Sequence, residues 1–374
     1  MNIFMFVNYT PSDKSLGITK KISSEIRALR RLGHDVVYTA YGDKGVVVYD
    51  NHDSIIYERQ YIFNNNAFIK VARYFLLIKT AQRFFDNTEQ QFDVLYGRLL
   101  APSKGYINFL RSVKKKKCRI ILEAHAYFPG IQFRSLKGKY VSYLLEKNGQ
   151  KLKYCVDKIL TEGHIDDFYG IAEVSEAKIG VETREIVAHR YIGNADELNL
   201  LSVANETTYH AYDRVIKSLA AYYNQAKTVP PVFLHLVGTV SDATKRMIEE
   251  MALNKRVKLY GKQYGDALDN IYNQCNLGLG PFGQHRIGGK KDTGLKTKEY
   301  FAKGLPYIFS GEEPSVPQGY PYILQYPSDE SLIDFSKAWE FYLSYRDNKN
   351  VVDEMREFAL SNYSWDAIME DAIK

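Results

Sequence analysis

The segment whose residue types best suit chemistry follows an apolar stretch that ends at Pro281. The loop after Pro281 contains four glycines and four cations, and a helical pattern begins near Gly294 and closes at Gly304. The cations are Arg286, Lys290, Lys291 and Lys296. Because the free N–H groups and the positive dipole end of a helix attract anions, the pattern predicts a phosphate-binding loop. A basic surface loop without a ligand is the alternative.

Glu299 lies about one turn inside this predicted helix. A carboxylate can accept two hydrogen bonds from the adjacent hydroxyls of a ribose. Glu299 and the neighbouring cations together would therefore suit a nucleotide with a diphosphate. The alternative for Glu299 is an ordinary solvated residue on a surface helix.

Two polar residues close a strand pattern in the first half of the chain. Glu123 and His125 follow the apolar residues of a predicted strand over residues 119–122. Glu123 would either orient His125 or act as a general base. The alternative for His125 is a structural imidazole whose hydrogen bonds are satisfied within the protein.

Strand and helix patterns alternate along almost the whole chain, which predicts an α/β protein with parallel sheets flanked by helices. The alternation restarts with a predicted strand over residues 198–204. We therefore expect two Rossmann-like domains whose sheets face a central cleft, the first over residues 1–190 and the second over residues 191–355. Ligands bind at the carboxyl ends of such strands, where the residues above lie.

The composition supports this organisation and excludes several classes of protein. A chain of 374 residues is long enough for two domains. Its three cysteines, Cys118, Cys155 and Cys275, lack the spacing of a zinc site or a disulfide framework. Residues 1–190 carry 30 Lys+Arg and 20 Asp+Glu, a balance of +10, whereas residues 191–374 carry 20 and 24, a balance of −4. The basic half suggests an anionic partner. Tyrosine is in excess, at 30 residues.

Two tracts in the basic half could attach the protein to anionic lipid. Residues 111–119 are a cationic run, and residues 68–79 mix aromatic, aliphatic and cationic side chains in a helical pattern. The alternatives are a helix end and a core-facing helix. No signature of a nucleic-acid-binding module accompanies the charge, so we expect no nucleic-acid partner. No apolar run reaches the length of about 18–20 residues that a spanning helix needs.

The segment around Glu299 resembles the donor-binding segment of GT-B glycosyltransferases of the retaining "group 1" family. Glu299 occupies the second position of that family's E-x7-E motif, Gly294 its central glycine, and residues 302–306 its Gly-Leu-Pro strand entry. Lys291 stands where the family has the first Glu. A subset of capsule and surface-polysaccharide transferases is more similar. The residues that fit this subset are His285, Arg286, Leu295, Lys296, Glu299 and Tyr300.

The loop after the first strand of the second domain also resembles this subset. In the broad family an Arg and a Lys in this loop neutralise the leaving diphosphate, and Asn205 and His210 stand at those positions here. The subset resembles residues 210–214, which implies that His210 or Arg214 supplies part of the charge stabilisation. The alternative for Arg214 is a surface residue paired with Asp213.

In the first domain, Gly17 lies in a turn that resembles the family's glycine loop, where the backbone approaches donor phosphate or acceptor. His125 matches a family histidine that reaches the transferred sugar. A G-x-G-x-x-G fingerprint is missing, which argues against a nicotinamide enzyme. The family also implies that the last helix, within residues 356–374, crosses back to the first domain.

The resemblance implies a hexosyltransferase-type enzyme whose second domain binds a nucleotide sugar, UDP-linked, as co-substrate. The first domain would bind a saccharide acceptor, polyprenyl-diphosphate-linked, in surface polysaccharide biosynthesis. Transfer would retain the anomeric configuration without a metal or another cofactor. The protein would be cytoplasmic and peripheral on the inner face of the cell membrane. Two alternatives remain: a nucleotide-sugar 2-epimerase of the same fold, and a catalytically silent partner subunit.

Overall fold

One β-sheet forms the centre of each of the two units into which the chain divides. The structure is a computed structural model, and it describes residues 1–12, 17–61, 66–125, 136–161, 165–225, 230–287 and 294–374. The first unit comprises residues 1–179 and 365–374, and the second comprises residues 180–364.

The sheet of the first unit has eight strands within the described residues. They are β1 (Asn2–Phe6), β2 (Asp35–Tyr41), β3 (Gly45–Tyr49), β4 (Ile55–Gln60), β5 (Val94–Arg98), β6 (Arg119–Ala124), β7 (Lys158–Thr161) and β8 (Glu173–Glu176). Their order is β4-β3-β2-β1-β5-β6-β7-β8. The helices of this unit are α1 (Gly17–Arg31), α2 (Asn66–Asn87), α3 (Lys104–Lys115), α4 (Leu136–Asn148) and α11 (Trp365–Ile373).

The strands β3 and β4 form a hairpin that the sequence patterns did not predict. They pair antiparallel to each other, and β3 also pairs antiparallel to β2, whereas the other pairs of neighbouring strands in the sheet are parallel. The turn between them is closed by Asp50, whose Oδ1 accepts hydrogen bonds from His52 N at 2.9 Å and Ser54 N at 2.8 Å. So short a connection can join antiparallel strands only.

The second sheet has six parallel strands within the part of the chain described. They are β9 (Leu198–Val203), β10 (Val232–Val237), β11 (Val257–Gly261), β12 (Leu277–Leu279), β13 (Tyr307–Ser310) and β14 (Ile323–Tyr326). Their order is β11-β10-β9-β12-β13-β14. The helices of this unit are α5 (Tyr212–Gln225), α6 (Asp242–Glu250), α7 (Gly265–Asn273), α8 (Leu295–Lys303), α9 (Phe335–Tyr345) and α10 (Val351–Asn362).

The division between the units falls before the predicted boundary at residue 190. Residues 180–190 belong to the second unit because their backbone bonds to it: Val181 N donates to Tyr363 O at 2.8 Å, and His189 N donates to Lys303 O at 2.7 Å. At the C-terminus, α10 packs against α8 of the second unit. The segment that returns to the first unit is therefore shorter than the predicted residues 356–374, and it packs as α11 against α1.

The tyrosine excess has a structural explanation in the core of the second unit. The hydroxyl of the buried Tyr300 shares its hydrogen between two backbone oxygens, Leu201 O within β9 at 2.8 Å and Leu279 O at the end of β12 at 3.1 Å. The buried Tyr345 bonds in the same way to Asn276 O at 3.0 Å. A buried tyrosine thus fills core volume and also donates a hydrogen bond to a backbone carbonyl oxygen, in addition to the hydrogen bonds between strands.

Among the described residues, no helix is both long enough and apolar enough to cross a bilayer.

Candidate functional site

The carboxyl ends of β9 and β12 are the place where a ligand of the second sheet is expected. These two strands are neighbours, and the chain continues from β9 to β10 on one side and from β12 to β13 on the other. Ligands of open parallel sheets bind in the crevice at such a switch point. Residues after β9 and the first turn of α8 supply side chains there.

The first turn of α8 offers backbone N–H groups at this edge. Gly294 is the N-cap residue and has no side chain to cap them. The hydroxyl of Thr297 donates to Gly294 O at 2.9 Å, and the side chain of Leu295 is exposed. Lys296 Nζ donates to Ser202 Oγ at 3.1 Å, which brings its charge to the end of β9. The dipole end of α8 and Lys296 place positive charge at this edge, and the carboxylate of Glu313, which accepts a hydrogen bond from Thr297 Oγ1 at 3.0 Å, lies beside it.

His210 lies beside this arrangement as a neutral imidazole. Burial, aided by the positive charge of Lys296, lowers its pKa to about 3. Its Nδ1 lies 2.9 Å from Thr207 Oγ1, and its ring packs on Tyr212 with centroids 5.7 Å apart. His210 can therefore contribute a hydrogen bond at neutral pH but no charge.

Glu299 lies one turn further along α8, on the side that faces α7. It lines a cavity of about 230 Å³ together with Asp269, Tyr272 and Lys303. Burial raises the pKa of Glu299, and the charges of Lys296 and Lys303 oppose that rise. The structure thus places Glu299 and Lys296 close enough to interact electrostatically.

Asn205 lies in the exposed loop after β9. Its Oδ1 accepts hydrogen bonds from Thr239 N at 3.1 Å and from Thr239 Oγ1 at 2.9 Å. The two loops approach closely because Gly238 has a φ of +122°, and a Cβ there would lie 2.1 Å from Ala204 O. Asn205 therefore ties the loops after β9 and β10 together at the edge of the sheet.

His285 and Arg286 form ion pairs within the protein. Arg286 Nη1 lies 2.6 Å from Asp213 Oδ1, and its Nη2 lies 2.6 Å from Glu330 Oε2. His285 Nε2 lies 2.6 Å from the same Glu330. Glu330 and Asp213 raise the pKa of Arg286, while Arg286 and His285 lower that of Glu330 to about 2. These carboxylates neutralise the guanidinium, so Arg286 offers an anion less charge than its sequence position suggests. The predicted cations Lys290 and Lys291 lie outside the described residues.

Arg214 is buried and holds the loop after β12 and the loop after β14 together. Its guanidinium donates to Phe282 O at 2.9 Å, to Ser331 O at 2.7 Å and to Pro327 O at 3.3 Å. The side chain is only 2 % exposed. The structure thus places Arg214 where it fixes the loop after β12, and its contacts make it a positioning residue of the site.

In the first unit, Glu123 and His125 are brought together at the end of β6. Oε1 of Glu123 lies 2.8 Å from His125 Nε2. The same carboxylate forms ion pairs with Lys21 and Arg98, and it accepts a hydrogen bond from Tyr96 at 3.0 Å. Four donors surround Glu123, so its geometry suits orientation of His125 better than abstraction of a proton.

Glu25 and Arg98, which no sequence pattern singled out, extend this cluster. Arg98 Nη2 lies 2.9 Å and 2.7 Å from the two carboxylate oxygens of Glu25, and both side chains are buried. The signal was present: Glu25 shares the apolar face of α1 with Ile22 and Leu29, where a solvated carboxylate would not lie.

Gly17 is the first residue of α1, next to residues that the structure does not describe. Among the described side chains, no three His, Cys, Asp or Glu residues are grouped as metal ligands.

Comparison with known proteins gives similarity in structure alone. No protein-family model and no curated protein sequence matches the chain. A sucrose-phosphate synthase from Thermosynechococcus elongatus is similar over 99 % of this chain and 97 % of its own, with 14 % identity and a TM-score of 0.54. The apo form of the lipopolysaccharide outer core galactosyltransferase WaaB aligns over 100 % and 99 %, with 16 % identity and a TM-score of 0.55. An apo structure of OtsA aligns over 100 % and 99 %, with 12 % identity and a TM-score of 0.52. The chain has the two-domain GT-B fold of these glycosyltransferases.

Proposed function

We propose that this chain, which has the GT-B fold, is a glycosyltransferase that transfers a sugar from a UDP-linked donor to a saccharide acceptor. The observation that carries the proposal is the convergence of Lys296, His210 and the uncapped end of α8 at the ends of β9 and β12. Such a site suits the diphosphate of a nucleotide sugar.

The proposed chemistry is electrostatic stabilisation of the leaving diphosphate. The N–H groups of α8 and the ammonium of Lys296 would meet the charge that develops as the glycosidic bond to phosphate breaks. His210, neutral near pH 7, would donate or accept a hydrogen bond. Glu299 would bind the ribose hydroxyls. The transfer would retain configuration and would need neither a metal nor another cofactor.

For the acceptor, we propose a polyprenyl-diphosphate-linked saccharide used in surface polysaccharide biosynthesis. The +10 balance of residues 1–190 favours an anionic acceptor, and His125, held by Glu123, would contact the reacting sugar. The protein would then work on the cytoplasmic face of the cell membrane.

The proposal is tested by incubating the chain with a panel of nucleotide sugars and no acceptor. We expect slow release of nucleoside diphosphate from one UDP-sugar, and its loss in Glu299→Ala. The matched control is Glu249→Ala, which removes an exposed carboxylate on α6 and should hydrolyse the donor normally. Appearance of an epimeric nucleotide sugar would identify the 2-epimerase instead.

A second candidate is a catalytically silent GT-B subunit. It is favoured by the neutral His210 and by the two carboxylates that neutralise Arg286, since both reduce the positive charge available to a leaving diphosphate. This candidate predicts that the chain binds a glycan or a second transferase and hydrolyses no nucleotide sugar.

A further inference from the structure

A row of exposed tyrosines and lysines runs along α4 and the 3-10 helix that follows it (Gly149–Tyr154). We call this row the α4 surface; it comprises Lys139, Tyr140, Tyr143, Lys147, Lys153 and Tyr154. The three tyrosines are 56 %, 49 % and 68 % exposed, although tyrosine elsewhere in this chain is mostly a core residue.

The opposite face of α4 fixes this row in place. Leu144, Leu145 and Leu152 are buried, and Asn148 Nδ2 donates to Pro102 O at 2.8 Å. The α4 surface is therefore presented by an anchored helix. A partner that binds it need not order this segment, which lowers the entropic cost of binding.

The charge of the α4 surface is strongly positive. Exposed side chains of the described residues 139–154 include four lysines, at 139, 147, 151 and 153, and one carboxylate, Glu146. Two lysines lie against tyrosine rings, Lys147 Nζ at 5.2 Å from the Tyr143 centroid and Lys153 Nζ at 5.2 Å from that of Tyr154. Cations and aromatic rings are thus interleaved on one face.

We propose that the α4 surface binds a bilayer that contains anionic lipid. Tyrosine favours the headgroup level of a bilayer, with its ring in the apolar boundary and its hydroxyl in water, and lysines beside it are attracted to anionic headgroups. Membrane binding through the α4 surface would bring the chain to its lipid-linked acceptor, so its biological role rests on the proposed function. Its test needs no transfer activity.

The tracts that the sequence singled out for lipid binding fit this partner less well. In α2, Leu77 and Ile78 are buried in the core. At the end of α3, Lys114 is paired with Asp157, and Lys116 Nζ donates to Phe85 O. Part of the apolar and charged character of these tracts is therefore used within the protein, whereas Phe75, Lys115 and Lys117 are exposed. The side chains of residues 68–72 lie outside the described residues, so lipid binding by these tracts stays a prediction.

The test is co-sedimentation of the full chain with vesicles of phosphatidylcholine alone and with added phosphatidylglycerol, at low salt. We expect binding that requires phosphatidylglycerol. The triple variant Lys139→Gln/Lys147→Gln/Lys153→Gln should bind on the order of 100-fold more weakly, at about fivefold per lysine. The variant Tyr140→Ser/Tyr143→Ser/Tyr154→Ser should also bind more weakly, because its rings no longer enter the headgroup layer.

The matched control removes the same charge from the same unit, through Lys20→Gln/Arg27→Gln/Lys44→Gln, exposed positions on α1 and in the turn between β2 and β3. The core beneath α1 is a different cluster from the core beneath α4, so this control should bind within about threefold of the wild type. An equal loss of binding in the control would overturn the proposal. Absence of co-sedimentation of the wild type with either vesicle, or binding to a soluble acidic polysaccharide alone, would overturn it too. Donor binding should survive in all variants, so its loss would concern the proposed function instead.

Discussion

Oε1 of Glu123 lies 2.8 Å from Nε2 of His125, at the end of β6. The same carboxylate is held by Arg98 and Lys21. Because Glu123 is already paired with two cations, it can fix the ring of His125 without itself exchanging a proton. In the proposed function, His125 is the side chain that would meet a substrate at this strand end, and Glu123 would be its positioning residue.

Removal of Arg98 should destabilise the first unit severely. Arg98→Met leaves the buried carboxylates of Glu25 and Glu123 without their main counter-charge. We expect the free energy of unfolding to fall by about 3–5 kcal/mol, the usual consequence of breaking a buried ion pair. Urea unfolding measures the change. Arg83→Met, on an exposed position of α2, is the control and should stay within about 0.5 kcal/mol of wild type. Equal effects for the two variants would contradict the buried cluster.

Three histidines should make the second unit sensitive to mild acid. Burial lowers the pKa of His189 and His235 to about 4 and, with help from Lys296, that of His210 to about 3. The unfolded chain binds protons near pH 6.5 and the folded chain does not. Stability is therefore full above about pH 6.5 and falls as the pH decreases, by up to about 1.4 kcal/mol per pH unit for each buried imidazole.

The measurement is a series of urea unfolding curves between about pH 7.5 and pH 5. His235→Gln removes one of the three groups, and the slope of stability against pH should decrease by roughly a third. A slope that His235→Gln leaves unchanged would show that this imidazole does not resist protonation in the folded protein.

Arg214 should stabilise the fold of the second unit. Arg214→Lys keeps the charge but loses the planar fork that reaches Phe282 O, Ser331 O and Pro327 O. We expect a loss of about 2–3 kcal/mol, which lowers the melting temperature of the second unit by about 4–12 °C. Scanning calorimetry measures this shift. Lys217→Arg, on the exposed side of α5, should melt as wild type does. A wild-type melting temperature for Arg214→Lys would refute the positioning role.

Lys296 should contribute directly to diphosphate binding. Its Nζ lies at the end of β9, bonded to Ser202 Oγ at 3.1 Å, beside the first turn of α8. Lys296→Met should raise the Kd for UDP by about 10-fold or more, since a hydrogen bond to a charged group contributes about 1.5–3 kcal/mol. Calorimetric titration gives the value. Lys245→Met, on an exposed residue of α6, is the control, and equal losses for both variants would argue against a local contact.

Much of this arrangement could be predicted because it depends on local patterns. Lys296 and Glu299 follow a strand and lie in the first turns of a helix, and the chain order alone brings such residues to the edge of a parallel sheet. Arg214 and Arg286 differ because their partners Ser331 and Glu330 lie more than forty residues away in the chain. Whether a guanidinium is free or neutralised depends on such long-range partners, and periodicity does not report them.

The β3–β4 hairpin and the Glu25–Arg98 pair show a second limit. The hairpin depends on the turn that Asp50 closes. In the sequence, a short turn of this kind cannot be told from a loop between a helix and a strand. Arg98 ends a strand that is otherwise apolar, and its counter-ion comes from α1, distant in sequence. A buried charge can be predicted only when its partner is known, because an unpaired charge is costly to bury.

Binding of a nucleotide sugar by the second unit at the ends of β9 and β12 is tested by calorimetric titration of the wild type and of Glu299→Ala with a panel of nucleotide sugars, with Glu249→Ala as the control. We expect one UDP-sugar to bind the wild type and the control equally and to bind Glu299→Ala at least about 10-fold more weakly. Failure of every nucleotide sugar and nucleoside diphosphate to bind the wild type would refute the proposed site.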